Sequence, residues 1–201
     1  MLDLGCGSGA PVVRDLVAAG HHVTGVDISE VQIQQAQKLV PQADFIMADA
    51  TSVDFPGGSF DAVVSLYALI HIPQDEQLPL LERIATWLRP GGWFLCSTGQ
   101  HEWTGMDENW LDSGVAMWWS HADADTDRAW ITRAGLTVEQ EEFAPEGGRR
   151  ACAVLGTTSA VTEQASGIRQ PAGGRANPQR VRPRPGPRTG PIPNVTGGGH
   201  T

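Results

Sequence analysis

The run Leu2-Asp3-Leu4-Gly5-Cys6-Gly7-Ser8-Gly9 constrains this chain more than any other stretch, because a short apolar strand enters three glycines at alternate positions. Without Cβ atoms the backbone can turn sharply and lie directly against a ligand. The residues that follow agree with a nucleotide-type loop: Ala10 to Ala19 carries Val12, Val13, Leu16 and Val17, the stripe of a helix packed on a sheet, and Gly20 stops it. A strand from His22 to Val26 then ends in Asp27. The loop therefore opens a β-loop-α-β unit with an acid about 20 positions after the glycines, the spacing that sets a carboxylate on a ribose hydroxyl pair.

The 201 residues suit one domain with an appendage. From Thr157 onward there are six arginines, one acid, seven prolines, eight glycines and no aromatic residue. Such a segment buries too little apolar surface to offset its ordering entropy, so we expect residues 1–156 to fold and 157–201 to be a disordered Arg/Gly/Pro-rich tail. The tail carries +5 of a whole-chain charge of −9, which leaves −14 on the body. A body that acidic repels phosphate backbones, which disfavours a specific nucleic-acid partner and favours a small-molecule substrate. Cys6, Cys96 and Cys152 are too few and too scattered for a disulfide framework, and no Cys/His cluster suggests a metal. With no signal peptide and no run long enough to span a bilayer, the chain is expected in the cytoplasm.

Helix and strand signals alternate, which predicts a mostly parallel sheet covered on both faces. Ser29 can cap a helix to about Leu39, Asp44 to Ala48 is a short strand, and Thr51 to Ser59 is a loop. Phe60 to Tyr67 is an almost unbroken apolar run, the mark of a strand buried on both faces. Leu80, Leu81, Ile84 and Leu88 repeat at helical spacing up to a stop at Arg89-Pro90-Gly91-Gly92, and Trp93 to Thr98 is the fifth strand. Gly99 to His121 has no clear period but holds four tryptophans, read as a lid over an apolar or aromatic substrate or as cover for the sheet edge. Asp123 to Ala134 reads as the last helix, and Leu136 to Phe143 with Arg150 to Gly156 as an antiparallel pair at the sheet edge.

Together these residues resemble the class I S-adenosylmethionine-dependent methyltransferases that act on small molecules. Leu2 to Gly9 is similar to the family's first motif, Gly25-Val26-Asp27 to the acidic end of its second strand, and Ala48-Asp49-Ala50 to the acidic loop after the third. Phe60 to Ser65 is similar to the fourth strand and Leu88 to Gly92 to the turn entering the fifth. The resemblance implies a doubly wound, Rossmann-like α/β fold: a mostly parallel seven-stranded sheet, helices on both faces and an antiparallel edge strand. It also implies S-adenosylmethionine as cofactor. Gly5, Gly7 and Gly9 would approach its amino acid part, Asp3 would lie near its ammonium or an ordered water, and Asp27, with Ile28 beside it, would accept both ribose hydroxyls. Asp49 would accept from the adenine amine while the Ala50 amide donates to the ring, and Leu66 would flank the methionine moiety.

Since the sulfonium is already a strong electrophile, an obligatory catalytic side chain is not expected. His71, at the rim after the fourth strand, is a candidate general base, with His101 and His121 weaker ones. Family members usually carry helical residues ahead of the first strand, so the resemblance implies a truncated N-terminus, and the tail is expected to follow a reading-frame change. Two other readings stand beside it. One is an NAD(P)-binding Rossmann oxidoreductase, against which Gly5-x-Gly7-x-Gly9-Ala10 departs from the GxGxxG spacing; the other is a non-catalytic methyltransferase remnant. The oligomeric state is not legible.

Overall fold

The computed structural model describes residues 1–146 and 149–158. The sheet begins with β1 (Leu2–Leu4), β2 (Thr24–Asp27), β3 (Asp44–Met47) and β4 (Phe60–Ser65), and continues with β5 (Leu88–Gly99), β8 (Leu136–Glu146) and β9 (Arg149–Thr158). Its helices are α1 (Val12–Ala18), α2 (Glu30–Leu39), α3 (Gln74–Trp87) and α4 (Ala124–Arg133). A separate hairpin pairs β6 (Trp103–Asp107) with β7 (Met117–His121).

The seven strands lie in the order β3-β2-β1-β4-β5-β9-β8. The first five run parallel, and β9 is the antiparallel member, inserted between β5 and the edge strand β8. Chain direction across the sheet reverses between β1 and β4. That is the switch point at which doubly wound sheets open a crevice beyond the carboxyl ends of their strands.

Local chemistry sets the elements. Ser29 Oγ accepts from the Gln32 amide to start α2, and the Asp123 carboxylate accepts from Thr126 N to start α4. Two buried clusters flank the sheet. Leu2, Leu4, Leu80, Ile84, Trp87 and Ile131 pack under α3 and α4, and Cys6, Val13, Val23, Ile33 and Val40 pack under α1 and α2. Helix α3 stops at Trp87, as the Arg-Pro-Gly-Gly turn predicts. The turn itself is a break in register inside β5: Phe60 faces Leu88, and pairing resumes at Ala62 with Trp93.

Two features differ from the sequence expectation, the β6–β7 hairpin and the extent of β9. The stretch read as aperiodic forms the β6–β7 hairpin. The antiparallel strand pair predicted at the sheet edge is there, with β8 outermost and β9 hydrogen-bonded to β5 on its other side. Strand β9 also runs through Thr158, two residues past the expected domain boundary. The rest of the predicted tail lies outside the described residues.

Asp127 of α4 is 5% exposed, and burial pushes its carboxyl up to about 7, with Asp123 and Glu141 adding to the rise and Thr98 and Arg128 opposing it. The native state therefore binds a proton that the unfolded chain releases near its ordinary value of 3.8. Stability from this group is complete at low pH, falls as pH rises from about 4 to about 7, and is level above that, by at most about 4 kcal/mol. Asp127→Asn should remove this share of the slope, leaving the variant more stable than wild type at about pH 8 and little different at about pH 4. Urea unfolding at the two values measures it.

Candidate functional site

At the switch point the glycine loop is tied to the end of β2. Gly5 N and Cys6 N both donate to Val26 O, at 2.8 and 3.0 Å. Gly7 N donates to Asp27 Oδ2 at 2.8 Å, and Ser29 N donates to Asp27 Oδ1 at 2.8 Å. One carboxylate thus holds the loop after β1 and the entry to α2. A carboxylate offers about four acceptor positions, so each oxygen keeps one for a ligand.

The glycines are required by backbone conformation: φ is +76° at Gly5, +53° at Gly7 and +78° at Gly9. At Gly5 a Cβ would also fall on the Cβ of Ala68. The loop after β1 and the segment after β4 consequently approach as closely as a missing side chain allows.

A cavity of about 410 Å³ lies against these elements. Gly5, Asp27, Ile28, Asp49 and Ala50 line one part of it, and Tyr67, Ala68, His71, Ile72 and Glu76 another. Asp49 Oδ1 accepts from Thr51 N at 2.8 Å and from Thr51 Oγ1 at 2.9 Å, which fixes the turn after β3. Ile28 is 71% exposed, an apolar side chain at the open mouth.

Five of the nine cofactor positions expected from the sequence line this cavity: Gly5, Asp27, Ile28, Asp49 and Ala50. Gly7 and Gly9 shape the loop without lining it. Asp3 is 3% exposed and sits within β1, behind the cavity wall; burial, then the nearby Asp27, pushes its carboxyl up to about 7. Leu66 is half-buried and off the wall, while its neighbours Tyr67 and Ala68 are on it. Burial raises the Cys6 thiol to about 12 and the Cys96 thiol also rises, which suits apolar packing and not nucleophilic chemistry.

Tyr67, Ala68 and Gln77 were not singled out from the sequence. Tyr67 has φ +57°, a conformation costly for a residue with a side chain, and its amide donates to the buried Ser97 hydroxyl at 2.6 Å. Its signal was position alone, just past a parallel strand. His71 was weighed, and the structure places it on the cavity wall in a short 3-10 turn (Leu69–His71), with Nδ1 2.7 Å from Trp118 O and its ring 4.6 Å from that of Trp119. His121 is on β7 against Trp103, and His101 is exposed; neither lines the cavity.

Strand order and crevice define a doubly wound α/β domain with an open cavity beyond the ends of its first strands. Residues 1–92 match the model of a methyltransferase domain family. The chain is 39% identical over 98 residues to the 27-O-demethylrifamycin SV methyltransferase of Amycolatopsis mediterranei, covering 46% of this chain and 35% of that protein. It is 35% identical over 113 residues to a sterol 24-C-methyltransferase of Gibberella zeae, covering 53% of this chain and 28% of that protein. An S-adenosylmethionine-dependent methyltransferase structure from Methanosarcina mazei superposes with a TM-score of 0.68 at 19% identity, over 79% of this chain and 91% of that one. The chain shares the fold of that methyltransferase structure, and the family match lies in residues 1–92. It spans about a third of the length of the curated relatives it matches.

Proposed function

We propose that this chain binds S-adenosylmethionine in the switch-point cavity and methylates a small-molecule acceptor. The observation that carries this is the Asp27 carboxylate, locked by Gly7 N and Ser29 N at the end of β2 with acceptor capacity left on the cavity wall. The cavity's donor set suits that cofactor. Asp27 meets a ribose diol, Asp49 an exocyclic amine, the Ala50 amide a ring nitrogen, and Ile28 an adenine face. Gly5 leaves room for the amino acid part, and Asp3 lies buried in the strand beneath it.

The bound cofactor supplies an electrophilic methyl group on a sulfonium. The chain's own contribution is placement, since an electrophile this strong needs the acceptor held at near-attack distance more than it needs activation. The Gly5–Ala68 approach sets how near the two parts of the cavity stand. Asp27, Asp49 and Glu76 give its mouth a negative field that favours a cationic ligand. Residues 1–156 form the methyltransferase domain in this reading, and the arginine-rich remainder is an appendage to it.

Among the described residues no helix is long and apolar enough to cross a membrane. The relatives named above act on a rifamycin precursor and on sterols, both small molecules, which supports an acceptor of that size. Calorimetric titration with S-adenosylmethionine, its demethylated product and NAD tests the proposal. Saturable heat with the first two and none with NAD is expected. Heat with NAD alone would restore the oxidoreductase reading, and no heat at millimolar ligand would favour a non-catalytic remnant.

A further inference from the structure

We propose that Arg83 is a positioning residue for the cofactor's base: it fixes the turn whose Asp49 carboxylate and Ala50 amide tell adenine from a purine without the exocyclic amine. The inference rests on the methyl-donor reading of the cavity. Asp49, Ala50 and Thr51 follow β3 in succession, and all three line the cavity. Thr51 N and Thr51 Oγ1 both donate to Asp49 Oδ1, which orients the carboxylate and leaves Oδ2 its acceptor capacity. Ser52 N and Val53 N donate to Asp49 O at 3.0 and 2.9 Å and close the turn.

Thr51 is held in turn from α3. Arg83 Nη1 donates to Thr51 O, and the guanidinium carbon lies 5.0 Å from the centroid of the Trp87 ring. Trp87 is fully buried, so the guanidinium rests on a ring that the core holds still. The same indole donates from Nε1 to Asp54 Oδ1 at 3.0 Å and meets Phe55 edge to face at 5.2 Å. Trp87 thus fixes where the loop lies, and Arg83 reaches back to the residue that orients Asp49. Arg14, Arg89 and Arg128 each pair with a carboxylate, whereas among the described residues Arg83 forms no ion pair and turns its donor onto a main-chain carbonyl.

That carbonyl begins a relay of peptide groups. The peptide whose oxygen accepts from Arg83 carries Ser52 N, which donates to Asp49 O. The peptide of Asp49 O carries the Ala50 N–H. Each bond polarises the next, so the Arg83 charge strengthens the donor meant for the ring nitrogen while the Thr51 bonds aim the acceptor meant for the amine. Acceptor and donor side by side match adenine, which offers an amine beside a bare ring nitrogen. Hypoxanthine offers a carbonyl beside a ring N–H, the reverse of both, and would set oxygen against carboxylate and N–H against N–H.

The test is calorimetry on the full chain with S-adenosylhomocysteine and with S-inosylhomocysteine, which differ only in the base. Wild type should prefer the adenine ligand by about a hundredfold, two hydrogen bonds' worth. Arg83→Met keeps an apolar stem over Trp87 and removes the donors. It should cut the preference to about tenfold through the adenine ligand, with the inosine ligand bound within about threefold of wild type. Arg83→Leu serves if the methionine variant does not fold. A folded Arg83 variant whose preference stays within about threefold of wild type would overturn the proposal, and so would an equal loss of both ligands, the mark of a purely structural role. Equal binding of the two ligands by wild type would overturn the base contacts and this proposal with them. Failure of the methyl-donor reading shows separately, as absence of heat from wild type with either ligand and with S-adenosylmethionine.

Discussion

Asp27→Ala should lower the affinity for S-adenosylmethionine by about a hundredfold, through two losses that act together. The first is direct, since the acceptor positions offered to the ribose hydroxyls disappear. The second is structural: Gly7 N and Ser29 N, each 2.8 Å from one carboxylate oxygen, lose their acceptor, and the loop after β1 is no longer tied to the start of α2. Each hydrogen bond to a charged acceptor contributes about 1.5–3 kcal/mol, so a hundredfold loss needs only part of the set. Asp27→Asn keeps one acceptor oxygen and presents an amide to the other donor, and its affinity should fall by roughly tenfold. Calorimetry gives the affinities, and thermal unfolding without ligand reports how much of the loss is loop order. Binding by Asp27→Ala within about threefold of wild type would refute the ribose assignment.

The parts of this molecule that could be read in the sequence are those set by neighbours along the chain. The glycine loop, the Ser29 and Asp123 caps, the stop after α3 and Asp27 at the end of β2 all follow from local geometry and spacing. The hairpin escaped because Trp103-Thr104-Gly105-Met106-Asp107 has no clean alternation and a glycine in its middle. That glycine sits beside the Trp103 ring, which a Cβ there would approach to 3.2 Å. The place of β9 inside the sheet is a non-local pairing that no window of sequence contains.

The same division holds in the site. Asp27, Asp49 and Ala50 could be expected because strand ends point at the crevice. Tyr67 and Gln77 could not, because their partners Ser97 and Ser120 lie 30 and 43 residues away. Leu66 and Tyr67 show the limit at single-residue scale. Where a strand ends, alternation sends one neighbour to the cavity and the other away, and a boundary error of one residue exchanges them.

Gly5→Ala should cost about 2–4 kcal/mol of stability and most of the cofactor affinity, because two separate demands meet at that position. A φ of +76° costs an L-residue about 1–2 kcal/mol. The added methyl also lands on Ala68 Cβ, and Ala68 has little room to retreat, since its neighbour Tyr67 is itself held at φ +57° through Ser97. Ala68→Gly separates the two causes. Alone it should cost less than about 1 kcal/mol, and in combination with Gly5→Ala it should recover the steric part while leaving the backbone part. A double-mutant cycle from urea unfolding reads the coupling directly. A coupling near zero would mean that the loop after β1 and the segment after β4 are spaced by something other than this contact. A clear coupling would make the missing side chain at Gly5 the element that sets the separation of donor and acceptor, and the double variant should then bind S-adenosylmethionine better than Gly5→Ala alone.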